Sequence, residues 1–117
     1  TIPSLKHQPQ RILNSYGEIH KLLEEYPEMM VFYNGPQCGA SAPDHAHFQA
    51  GAKGEMPLPG EVAHATTQLL TDSDEGFIGY VDVVGRSLFT IETSTQRAAE
   101  RYALRLPPHS LEKVMRV

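Results

Sequence analysis

A chain of 117 residues is long enough for one compact domain with a modest core and too short for two. Hydrophobic residues at 40% and charged residues at 21% sit near globular averages, which argues against a disordered chain. A net charge of −4 with scattered Lys and Arg does not favour non-specific binding to long nucleic acid, and none is expected as a partner, while a small anion held by a few donors stays open.

Cys38 is the one cysteine, so there is no internal disulfide and no zinc finger, and a reducing, cytoplasmic setting is expected. No apolar run approaches the roughly 20 residues that span a bilayer, no signal peptide is read, and no membrane partner is expected. The chain opens at Thr1 already reading as strand, without an initiator methionine. Residues 1–117 are taken as a single domain that fits a piece of a longer protein.

"TIPSLKHQP" reads as the end of a strand leaving through turns at Pro3 and Pro9. A helix should follow, because Ile12, Leu13, Tyr16, Ile19, Leu22, Leu23 and Tyr26 fall on one stripe at three- and four-residue spacing. Gly17 weakens its middle and Pro27 ends it. "MMVFYN", Met29 to Asn34, is an apolar run of β-formers and reads as a buried strand. "DHAHFQAG" is a second extended segment, and antiparallel pairing of the two is the economical arrangement.

Residues 52–61 are rich in Gly and Pro and read as loop; "VAHATTQLL" fits a short helix or a strand equally, and "TDSDEG" reads as a turn. "FIGYVDVV" and "SLFTIET" are strands joined at Gly85-Arg86 as a hairpin. Thr93 or Ser94 should cap a helix to about Leu106, with Gln96 placed for a capping box from Thr93. Its inner face would be Ala98, Ala99, Tyr102 and Leu106. Pro107-Pro108 stops it, and "SLEKVMRV" should begin a short final helix. The pattern as a whole is α+β, an antiparallel sheet with helices on one face.

One stretch exceeds what packing needs. "NGPQCGASAPDHAHFQAG", Asn34 to Gly51, places glycines, a serine and a cysteine before His-x-His-x-Gln. In a strand, alternate residues share a face, so His45, His47 and Gln49 would point one way, about 6.6 Å apart. Asp44, Ala46 and Phe48 would take the other face, with Ala46 and Phe48 toward the core, leaving the histidine row at a surface or cleft.

Three readings fit this row. It is a solvated polar face; or it is a metal site, in which His7, His64 or Asp44 would have to add ligands; or it carries phosphoryl chemistry. In the third, a neutral imidazole attacks an α-phosphorus and forms a covalent nucleotidyl-enzyme. The loop "GPQCGASAP" offers backbone N–H groups to wrap an anion, Ser41 a hydroxyl and Gln49 an amide donor. No Gly-Lys-Ser/Thr follows, so the loop is not a P-loop.

On these residues the sequence resembles the histidine-triad superfamily, in the transferase and phosphorylase branch that carries His-x-His-x-Gln. That branch includes galactose-1-phosphate uridylyltransferase, diadenosine tetraphosphate phosphorylase and GDP-hexose phosphorylase. "HAHFQA" is especially similar to the GDP-hexose phosphorylases, and "IPSLKHQPQRI" with its helix is similar to the opening of such domains. The whole chain looks most like the bacterial family DUF4922.

The resemblance implies a nucleotidyltransferase, or a nucleotide-sugar or dinucleotide phosphorylase, with His47 as the nucleophile and His45 orienting the site. His7 would approach from the preceding strand, and Gln49 would hold a phosphate oxygen with Ser41 and the Gly39 backbone. Asn34 would fix the loop or contact the nucleotide sugar. The implied partners are a nucleotide or nucleotide-sugar and a phosphate or sugar phosphate acceptor, with a homodimer ordinary for the superfamily. No cofactor and no metal are expected. Two alternatives stand beside this one: a non-catalytic nucleotide-binding module, and a metal-binding hydrolase using the His45–His47 pair.

Overall fold

The computed structural model describes residues 1–12, 15–83, 85–107 and 113–116. The protein is α+β, and its elements fall into two compact units, residues 1–56 with 108–117, and residues 57–107. None of the described helices is long and apolar enough to cross a membrane.

In the first unit, β1 (Ile2–Pro3), β2 (Met29–Asn34), β3 (His47–Ala52) and β7 (Lys113–Arg116) form an antiparallel sheet ordered β1-β3-β2-β7. The expected pairing of the two central segments holds, with Met29 opposite Ala52 and Phe32 opposite Gln49. β2 is the buried strand its composition indicates, with Met30, Val31 and Tyr33 all but inaccessible. Helix α1 (Tyr16–Glu25) packs on β2 through the stripe read from sequence, and Tyr16 and Ile19 are buried. Ile12 is buried ahead of the helix rather than within it, and Leu13 lies outside the described residues. Pro27 follows the C-cap residue Tyr26, as expected of a residue that cannot continue a helix.

The expected final helix is corrected. Lys113–Arg116 is strand β7, paired with β2 from Asn34↔Lys113 to Val31↔Arg116. A run this short satisfies its backbone by joining a sheet edge, whereas an isolated helix of a single turn is unstable in water. Residues 110–112 and 117, on which the rest of that expectation falls, lie outside the described residues.

In the second unit, β4 (Thr67–Ser73), β5 (Gly76–Val83) and β6 (Arg86–Thr93) form an antiparallel meander ordered β4-β5-β6. The hairpin between the last two strands is as expected, with Gly85 at φ +74 in its turn. The turn read over 71–76 narrows to Asp74 and Glu75, because Thr71 to Ser73 remain in β4.

Helix α2 (Leu58–His64) begins inside the segment read as loop, and the ambiguous stretch resolves into the end of α2 and the start of β4. Pro57 and Pro59 sit at the first turn of α2, where a missing N–H costs nothing, so proline content misleads there. Helix α3 (Gln96–Ala103) starts later and ends earlier than expected. Its cap is Thr95, whose Oγ1 accepts the Ala98 N–H at 3.1 Å, and its buried face is Ala98, Tyr102 and Ala103 rather than Ala99 and Leu106.

Candidate functional site

The site is built where the segment between β1 and α1 wraps the end of the glycine loop. Ser4 N donates to Ala46 O at 2.8 Å, Ala46 N to Gln8 O at 2.7 Å, and Gln10 N to Pro43 O at 3.1 Å. These bonds continue the β1–β3 ladder past its last residues, so residues 4–10 and 43–47 form one joined backbone framework.

This framework changes the histidine row. β3 begins at His47, and His45 lies in a turn whose N–H reaches Ala42 O at 3.2 Å. The strand geometry expected from Asp44 onward therefore holds only from His47 on. Pro43 interrupts regular pairing, and Ala46 bonds to the 4–8 segment instead of to β2. His47 and Gln49 do share a face by strand alternation, with Phe48 opposite beside Tyr33, ring centroids 6.4 Å apart.

Burial is a second correction. His47 is 7% exposed, while Phe48 is only half-buried, the reverse of a solvated histidine row over an apolar underside. Gln10 and His47 are the two buried polar residues among the described residues. They bond to each other.

Each ring proton follows from its partner, because a carbonyl oxygen only accepts. His47 Nδ1 lies 2.9 Å from His45 O, so Nδ1 carries the hydrogen and Nε2 the lone pair. Among the described residues, Nε2 makes no hydrogen bond. His45 Nε2 lies 2.8 Å from Ser4 O and donates to it, leaving His45 Nδ1 as an acceptor. His7 Nδ1, 3.1 Å away, then donates to His45 Nδ1, with the rings edge-on at 77°. His7 Nε2 faces Asp44 Oδ2 at 3.8 Å, an exposed pair that is ionic only when His7 is protonated.

Of the residues singled out from sequence, the structure joins His7, His45 and His47, with Asp44 at the end of the chain of contacts. Gln49 sits two residues along the same face as His47, half-buried and opposite Phe32. Asn34 ends β2, and its carbonyl accepts from Gln10 Nε2 at 3.0 Å. Gly39 and Ser41 are exposed in the loop that joins β2 to β3, and among the described residues no hydrogen bond links either of them to a histidine. Gly39 has φ +88 with open space around it, so its requirement is conformational rather than steric.

Gln10 is the site residue that sequence reasoning missed. Its amide accepts the His47 N–H at 2.7 Å and donates to His47 O at 2.9 Å. A single glutamine after a proline carries no periodic or spacing signal. A groove of about 390 Å³ between β1 and α1 is lined by residues that include His47, Gln10, Tyr33, Phe48, Lys6 and Arg11. Gln49, Ser41 and Gly39 do not line it. Among the described residues no group of three or more His, Cys, Asp or Glu could hold a metal ion.

No curated protein and no solved structure matches this chain. Residues 1–52, which contain β1, α1, the glycine loop, both motif histidines and all of β3, match the family model of the domain of unknown function DUF4922.

Proposed function

We propose that the first unit is a histidine-triad-like nucleotidyltransferase or nucleotide-sugar or dinucleotide phosphorylase domain working through a nucleotidyl-His47 intermediate. The observation that carries this reading is the hydrogen bond from His47 Nδ1 to the His45 carbonyl, which puts the lone pair on Nε2, a nitrogen with no hydrogen bond among the described residues. A nucleophile needs that tautomer fixed before substrate arrives.

In the first step Nε2 donates its lone pair to the α-phosphorus. The bond from phosphorus to the bridging oxygen breaks, and its electrons leave with the departing phosphate or sugar phosphate. The imidazole gains positive charge, which the His45 carbonyl stabilises through the Nδ1–H. In the second step an oxygen of inorganic phosphate or a sugar phosphate attacks the same phosphorus, and the N–P electron pair returns to Nε2. No proton has to leave the ring in either step. The demand on the protein is positioning and charge stabilisation, which Gln49 and the loop around Gly39 and Ser41 would supply.

A metal-dependent hydrolase reading is less well supported. His47 Nδ1 and His45 Nε2 are both committed to carbonyls, and no third ligand joins them among the described residues.

The test is intact-protein mass spectrometry after brief incubation with GDP-, ADP- and UDP-sugars and diadenosine tetraphosphate, on the wild type and on His47→Ala. Addition of one nucleoside monophosphate to the wild type alone is the expected result, and it names the base. Transfer that survives in His47→Ala would end the mechanism. Tight nucleotide binding with neither adduct nor product would assign a binding module instead.

A further inference from the structure

We infer that Gln10 is a positioning residue for the nucleophile, and that it acts by taking the place of a missing rung in the sheet. The inference rests on the reading of His47 as nucleophile. The register shows the gap. Phe32 pairs with Gln49, Met30 with Gly51, and the next hydrogen-bonded pair in this antiparallel ladder would be Asn34 with His47. That pair does not form.

The Gln10 side chain occupies its place. Oε1 accepts the His47 N–H at 2.7 Å, and Nε2 donates to His47 O at 2.9 Å and to Asn34 O at 3.0 Å. One acceptor and two donor hydrogens are thereby all used. Gln10 is 1% exposed, so water cannot substitute for any of the three bonds.

The consequence is geometric. The Gln10 amide bridges Asn34, the last residue of β2, and His47, the first of β3, where the chain enters and leaves the glycine loop. The backbone of residue 47 is held at both its N–H and its C=O, and the ring of that residue must reach back two residues to the His45 carbonyl. The backbone N–H of Gln10 also bonds Pro43 O at 3.1 Å, so the residue that sets the His47 backbone is itself tied to the loop that presents His45. Gln10 thus fixes the distance over which the His47 Nδ1–H bond is made. Through that bond it fixes which nitrogen carries the lone pair.

The test uses Gln10→Leu, which removes all three bonds at similar volume, and Gln10→Glu, which keeps the acceptor for the His47 N–H but loses both donated bonds. Three quantities are measured: thermal unfolding, the rate of adduct formation against nucleotide affinity, and the long-range proton–nitrogen NMR spectrum of the His47 ring. The wild type should show the single Nδ1–H tautomer, and folded variants a mixture of both tautomers. Their adduct rate should fall by about 10²-fold, the scale of a 1 Å misplacement, with nucleotide affinity within about threefold.

A folded variant that keeps the Nδ1–H tautomer and the wild-type rate overturns the inference. Failure of both variants to fold also overturns it, in favour of a purely structural role. The tautomer is read without any nucleotide, so a wild type that forms no adduct sinks the proposed function while leaving this result to stand or fall by itself.

Discussion

Replacing His45 by alanine separates two ways in which the first motif histidine could serve the site. The structure assigns its ring to scaffolding: Nε2 donates to Ser4 O at 2.8 Å, and Nδ1 accepts from His7 at 3.1 Å. The group that touches the nucleophile is the His45 backbone carbonyl, which alanine retains. Two neutral, partly exposed hydrogen bonds at about 0.5–1.5 kcal/mol each amount to roughly 1–3 kcal/mol of local support. If about half of that loss reaches the His47 alignment, the rate of adduct formation falls roughly two- to tenfold, since ~1.4 kcal/mol is one decade. His47→Ala, by contrast, removes the attacking atom and should leave no adduct. The assay is rapid quench followed by intact mass, with thermal unfolding on the same samples, where His45→Ala should melt several degrees lower. A His45→Ala protein that melts like the wild type yet is as dead as His47→Ala would refute the scaffolding role. It would place the His45 ring on substrate or on a metal.

Gln49→Ala should slow adduct formation by about 10²-fold, the scale of losing one preorganised donor, without lowering the melting temperature much, because Gln49 is only half-buried. A rate within threefold of the wild type would remove Gln49 from the phosphate site. In the second unit, Gly76→Ala should be strongly destabilising. A Cβ there would stand 2.0 Å from Glu92 O at a backbone φ of +143. Overpacking of ~1–3 kcal/mol and left-handed strain of ~1–2 kcal/mol together give roughly 3 kcal/mol, or about 10 °C or more in melting temperature for a small unit. An unchanged melt would mean that the β5–β6 register at Thr93 is not as described.

What the sequence by itself determined is what local pattern encodes. The stripe from Tyr16 to Leu23 made α1, the apolar run "MMVFYN" made a buried strand, and Gly85 between two alternating runs made a hairpin. Each depends on neighbours within a few residues, and each held. The glycine loop and the His-x-His-x-Gln row were legible for the same reason, as a local excess of residues that packing does not require.

Where competing local signals were close, tertiary pairing chose between them. Lys113–Arg116 became a strand because the free edge of β2 accepts it, and "LPGEVAH" is a helix that tolerates its one proline, Pro59, in the first turn. The cap of α3 moved to Thr95, where a hydroxyl meets the Ala98 N–H.

The chemistry of the site was decided at longer range. Spacing placed His45 and His47 together on one strand face, but the bonds between residues 4–10 and 43–47 pulled His45 into a turn and buried His47. The proton on His47 Nδ1 depends on a carbonyl whose position is set by that framework. Gln10 reaches His47 across 37 positions of chain. No periodicity in a sequence reports a contact of that span, because only the closed sheet brings the amide to the gap between β2 and β3.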